Sequence, residues 1–119
     1  MDFEEAIRAH SNWKLKLSTY IRKPDGSLNA SEIASDKKCT LGTWLYGDGR
    51  RFAEMKEYQQ LMTEHAKFHK EASSLVKRAD SGAVVSQDTA LGSGSPYATT
   101  SKQVVTLIAT MKSTVAKAA

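Results

Sequence analysis

Apolar side chains in the first segment recur at alternating steps of three and four. Phe3, Ile7, His10, Leu17 and Ile21 form one row, interrupted at Lys14, where neighbouring Trp13 supplies bulk. That spacing is one face of a helix. Asp2, with Glu5 three residues on, has the pattern of a capping box, and Pro24-Asp25-Gly26 stops the run. The pattern predicts a helix over 2–22. Residues 24–38 read as a polar connector with at most a short turn around Glu32-Ile33-Ala34. Cys39–Tyr46 is dense in large apolar groups but brief, and predicts a short helix lying against the rest. From about Arg51 to Ala79 a second long helix is expected, with a seam of Met55, Tyr58, Met62, His65, His69, Ala72, Val76 and Ala79. Residues 80–95 are rich in Gly, Ser and Thr and read as a flexible loop that can retain a helical piece around Ala83–Ala90. Ser95-Pro96 then opens a last helix, whose seam is Tyr97, Ser101, Val104, Ile108, Met111 and Val115. No stretch alternates as a strand. The fold class expected is all-α: an antiparallel four-helix-type bundle with a short extra helix carrying the cysteine.

A chain of 119 residues suits one domain over 1–119. No apolar run approaches the ~20 residues of a membrane span. The acidic opening, Asp2-Phe3-Glu4-Glu5, is unlike a secretion signal. With a single cysteine, no intrachain disulfide can form, and a reducing, cytoplasmic setting is expected. The net charge of +4 invites a nucleic-acid reading. Its basic residues are scattered in pairs (Arg22-Lys23, Lys37-Lys38, Arg50-Arg51, Lys77-Arg78), however, instead of forming one stripe with interleaved aromatics. Neither nucleic acid nor direct membrane contact is expected.

All three histidines fall on predicted core seams. A single inward histidine is ordinarily a hydrogen-bonded core residue, and a His-x-x-x-His pair is often accidental. Taken together they weigh differently. Three buried imidazoles bring up to six ring nitrogens, each costing ~1–3 kcal/mol if left without a partner. One metal ion bound by His10, Cys39, His65 and His69 would engage a nitrogen of each ring and a thiolate, the donors zinc prefers. Copper and iron accept similar donors.

Three segments carry a family resemblance: His10-Ser11-Asn12-Trp13, Cys39-Thr40-Leu41-Gly42-Thr43-Trp44-Leu45 and His65-Ala66-Lys67-Phe68-His69. In order and spacing they resemble the His-x-x-Trp, Cys-x-Leu-Gly-x-Trp and His-x-x-Phe-His signatures of the chemoreceptor zinc-binding (CZB) domain family. The resemblance runs from about residue 6 to 79 and more loosely to Val105. It implies a helical bundle with a three-histidine, one-cysteine Zn2+ site and His10, Cys39, His65 and His69 as ligands. It also implies Trp13, Gly42, Trp44 and Phe68 as pocket-shaping residues, for which plain core packing is an equal reading. Such domains sit in bacterial cytoplasmic signalling proteins, chiefly chemotaxis receptors and diguanylate cyclases, commonly as homodimers joined to an output domain. Their inputs are zinc and oxidants, notably hypochlorous acid acting on a redox-reactive cysteine, here Cys39.

The resulting expectation is a non-enzymatic sensory domain; its rival is a purely structural zinc bundle that mediates dimerisation. A homodimer also fits Leu107 and Val105, which read as exposed apolar flanks of the last helix. A di-iron carrier or enzyme would need carboxylates paired with Glu-x-x-His on separate helices. Metalloprotease chemistry would need Glu where Ala66 stands. Both are excluded on those grounds.

Overall fold

The computed structural model describes residues 1–118. Helix α1 (Phe3–Arg22) starts where the Asp2 carboxylate accepts from the Glu5 backbone N–H. Its core-facing residues are Ala6, His10, Leu17 and Tyr20, with Phe3, Ile7, Trp13 and Ile21 half-buried beside them. The true seam is thus rotated slightly from the apolar row, towards Ala6 and Tyr20. The connector contains one short helix, α2 (Ala30–Ile33), capped by Asn29, whose side chain accepts from Glu32 N–H. Helix α3 (Thr40–Tyr46) follows with Cys39 as its N-cap.

The second long helix starts later than its periodicity predicts. Residues Asp48–Phe52 form a 3-10 turn, and α4 runs Lys56–Asp80. A continuous helix from Arg51 would place Phe52 in line with Gln59 and Thr63, on the solvent side. Turning the chain off that axis instead buries Phe52, whose ring stacks with Trp44 at 6.1 Å. The seam of α4 is also broader than one row. Leu61, Phe68 and Leu75 are buried alongside it, whereas Met55 and Met62 are only half-buried. Between α4 and the last helix, Ser86 caps a short helix α5 (Gln87–Leu91). Its Ala90 and Leu91 are buried, and its Gln87 accepts from the Ser18 hydroxyl and donates to the Ser18 carbonyl.

Helix α6 (Pro96–Ala118) opens with the Ser95 hydroxyl accepting from Ala98 N–H. Tyr97 lies beside Phe68 of mid-α4, while Gln103 and Leu107 border a groove with Lys56, Gln60 and Glu64 of its first half. Later residues of α6 therefore meet earlier residues of α4, and the two run antiparallel. An ion pair between Lys112 and Glu4 shows the same for α6 and α1. The three long helices pack pairwise, with α2 against α4 and α5 between α1 and α6. One expectation for α6 fails. Leu107 is not an exposed flank but is 9 % exposed within the core cluster, next to Val104, Ile108 and Met111, while Val105 is half-buried. Thr100, not anticipated as core, is wholly buried. Among the described residues, the fold is all-α, and no helix is long and apolar enough to cross a membrane.

Candidate metal centre

Three elements bring four donors to one point. His10 comes from the middle of α1, Cys39 from the N-cap of α3, and His65 and His69 from successive turns of α4. One nitrogen of each ring and the sulfur lie within 4.8 Å of one another. The three histidines are buried; Cys39 is half-buried, the one donor residue of the four that is partly open to solvent.

Two rings are oriented by backbone carbonyls. His10 Nδ1–H donates to the Ala6 carbonyl at 2.8 Å, one turn back on its own helix. His69 Nδ1–H donates to the Ile33 carbonyl at 2.8 Å, which gives α2 its purpose at this site. Fixing Nδ1 as donor leaves Nε2 of each ring with an inward lone pair. His69 Nε2 is 3.0 Å from His65 Nε2, and Cys39 Sγ is 3.2 Å from His65 Nε2 and 3.6 Å from His69 Nε2.

One tetrahedral zinc ion can be held here with small shifts of donors that already lie within 4.8 Å of one another. Zinc–nitrogen bonds of about 2.0–2.1 Å and zinc–sulfur bonds of about 2.3 Å imply donor–donor edges of roughly 3.3–3.6 Å. Nor do the donors satisfy each other alone. A proton on His65 Nε2 can serve His69 Nε2, yet His10 Nε2 and His65 Nδ1 are buried with no hydrogen-bond partner. Burial presses in the same direction at every donor. It lowers His10 and His69, takes His65 down to about 3 with help from the neighbouring His69 and His10, and pushes the Cys39 thiol up. Neutral imidazoles are what a metal requires. A dication at the inward atoms would offset the cost of a buried thiolate, the form that ligates.

The surroundings explain how α3 is held. The Cys39 sulfur accepts from Gly42 N–H at 3.3 Å, so the donor atom also caps its helix. A Cβ on Gly42 would stand 1.9 Å from the Asp36 carbonyl oxygen, so only glycine permits this approach of α3 to the connector. At the other end, the Tyr58 hydroxyl donates to the Leu45 carbonyl. Phe68 packs edge-on against both His10 and His69, at 5.2 Å and 5.6 Å. The Trp44 ring contacts Phe3 and Phe52, not the histidines. Trp13 lines a cleft of about 360 Å³ with Glu5, Ala9 and Lys38 that reaches His10 and Cys39. The Ala6 and Ile33 carbonyls are the residues' contribution that sequence could not reveal, since backbone groups carry no side-chain signal.

The family model of the chemoreceptor zinc-binding domain matches residues 10–76, more than half of the chain, and takes in all four donors. No curated protein and no solved structure matches. The chain belongs to the chemoreceptor zinc-binding domain family, and that membership together with the donor set makes its metal zinc.

Proposed function

We propose that this domain is a sensory module of bacterial cytoplasmic signalling, in which His10, Cys39, His65 and His69 ligate zinc and Cys39 is the responsive ligand. The observation that carries the reading is an asymmetry in the donor set. Three donors stand on long packed helices, and the fourth sits half-open to solvent at the cap of a seven-residue one. Bound zinc supplies Lewis acidity that keeps the sulfur as thiolate, the nucleophilic form. With four protein donors no position remains for a reactive water, which argues against hydrolytic catalysis.

The Cys39 thiolate then reacts with an oxidant of the hypochlorous acid class. Sulfur gives up an electron pair and gains the hydroxyl, chloride leaves, and the product is a sulfenic acid. Loss of the thiolate removes one ligand and disturbs the sulfur cap on Gly42 N–H. Helix α3 shifts or loosens, and Trp44 moves with it. These 119 residues hold one cysteine, so the oxidised form closes no disulfide within them, and a separate thiol restores it. Trp13 screens the cleft, Phe68 braces the rings, and Gly42 and Trp44 fix α3. The signal passes across a homodimer to an output domain. That dimer reading now rests on the family alone, because Leu107 is covered within the chain.

Hydrogen exchange across residues 36–50 tests the switch. Protection should fall in zinc-stripped and in briefly oxidised protein relative to the untreated domain. Equal protection in all three states would leave a static zinc bundle that serves only structure.

A further inference from the structure

Four buried side-chain polar atoms lack partners among the described residues: His10 Nε2, which faces the metal position, the Tyr97 hydroxyl, and, one on each side of the α4–α6 contact, His65 Nδ1 and Thr100 Oγ1. His65 and Thr100 are wholly buried. The register of the two helices sets them at the same height. Tyr97 lies against Phe68, ring centroids 5.4 Å apart. Three residues on from Tyr97 along α6 is Thr100, and three residues back from Phe68 along antiparallel α4 is His65. Each step covers about 4.5 Å along its axis. Gln103 and Leu107 against Lys56, Gln60 and Glu64 continue the same register.

The Thr100 hydroxyl is buried yet lacks the back-bond that some helical threonines here make. Thr63, Thr110 and Thr114 each donate to the carbonyl one turn back, at 3.2, 3.1 and 3.0 Å. Thr100 makes no such bond. Among the histidines the contrast is parallel: His10 and His69 have their outer nitrogens anchored on carbonyls, and His65 does not.

We infer that Thr100 is a positioning residue for the metal centre, its Oγ1 accepting from His65 Nδ1–H through one water or after a small side-chain rotation on metal binding, since the two atoms are not bonded to each other here. The inference rests on the zinc reading above. A metal on Nε2 forces the remaining ring proton onto Nδ1, and a buried Nδ1–H needs an acceptor. Thr100 is placed to supply it, on the facing helix at the same height. Each of the three ring ligands then has an outer partner, two from backbone and one from α6. The contact also ties α6, which carries no ligand, to the occupancy of the centre.

Thr100→Val keeps the shape and removes the acceptor; Thr100→Ser keeps the hydroxyl. Zinc affinity is read by competition with a chromogenic chelator, and thermal stability by melting the metal-stripped proteins. Thr100→Val should weaken zinc binding about 10–100-fold, while Thr100→Ser stays within a few-fold of the parent. The stripped Thr100→Val protein should melt no lower than the parent, since an unpaired buried hydroxyl has been removed. Parental zinc affinity in Thr100→Val overturns the role of Thr100 and leaves the zinc site standing. A weakened affinity that Thr100→Ser shares, or a lower melting point of stripped Thr100→Val, marks a packing effect and overturns it too. A parent protein that takes up no zinc overturns the zinc reading itself.

Discussion

His69 and Cys39 approach within 3.6 Å, yet they are held by different means. His69 stands on a 25-residue helix, its ring flanked by Phe68 and its Nδ1 tied to the Ile33 carbonyl. Cys39 hangs at the start of seven helical residues, and its placement depends on one backbone bond to its sulfur and on Gly42 fitting against Asp36. Long helices gain their order from extended burial along a seam. The short one borrows order from a few close contacts. A centre built across both draws three donors from extended packing and one from a few close contacts.

The sharpest break in that comparison removes the rigid half. A His65→Ala, His69→Ala double variant should fall from one zinc per chain to almost none by elemental analysis, because structural zinc sites are worth on the order of 10–16 kcal/mol. Zinc at unchanged stoichiometry would show that α4 does not provide the site. Next comes the borrowed half. Gly42→Ala should cost about 3 kcal/mol as α3 is forced off the Asp36 carbonyl. Denaturant unfolding measures it, and exchange protection should drop in 36–47 before it drops in α4. Uniform loss along the chain would mean that α3 and α4 are not distinct in stability.

Acid sharpens the contrast, since it acts on the buried rings. In the metal-stripped protein, His65 sits down near 3 because of burial and the adjoining His69 and His10. In the unfolded chain it titrates near 6.5. Protons therefore favour the unfolded state between those values. Stability is complete above pH 6.5 and declines as pH falls towards 3, at about 1.4 kcal/mol per pH unit for this ring alone. Denaturation midpoints at pH 7.0 and pH 5.5 test it; identical midpoints would mean that the ring is not held neutral.

The smallest effect is expected where α2 is pinned to α4. The Ser73 hydroxyl donates to the Ala30 carbonyl at 2.8 Å. Ser73→Ala should cost about 1 kcal/mol and leave zinc stoichiometry intact. Loss of zinc here would show that α2 holds His69 more delicately than its single carbonyl bond suggests.

Much of the site was legible from sequence because it lies on helices whose period is written in side chains. His10, His65 and His69 fell on rows that could be counted, and Cys39 stood in a short apolar block between them. Legibility failed where the chain leaves the helical period. Phe52 looked like a continuation of α4 because its burial against Trp44, which sets where the helix begins, is a tertiary event that local sequence does not mark. In the Gly- and Ser-rich stretch a helical piece around Ala83–Ala90 was legible but not its bounds: α5 runs Gln87–Leu91, and its buried Ala90 and Leu91 are too few to make a pattern. Leu107 was misjudged because a single counted row is narrower than the face a helix buries between two neighbours. Thr100 escaped for the same reason, compounded by its polar side chain.

Helix α6 has a geometric property of its own. It begins at Pro96, one residue before Tyr97 lies against Phe68, and Phe68 touches two of the ligating rings. From there it runs 23 residues, or about 34 Å. Buried Val104, Ile108 and Met111 brace it along most of that length, so a rotation near Tyr97 reaches the far tip only if that packing slides with it. A pivot of roughly 5° at Tyr97 carries the far tip about 3 Å sideways at that length, a distance comparable to a change of packing partner. Lys112, paired with Glu4 well along the helix, is the latch such a swing would strain first.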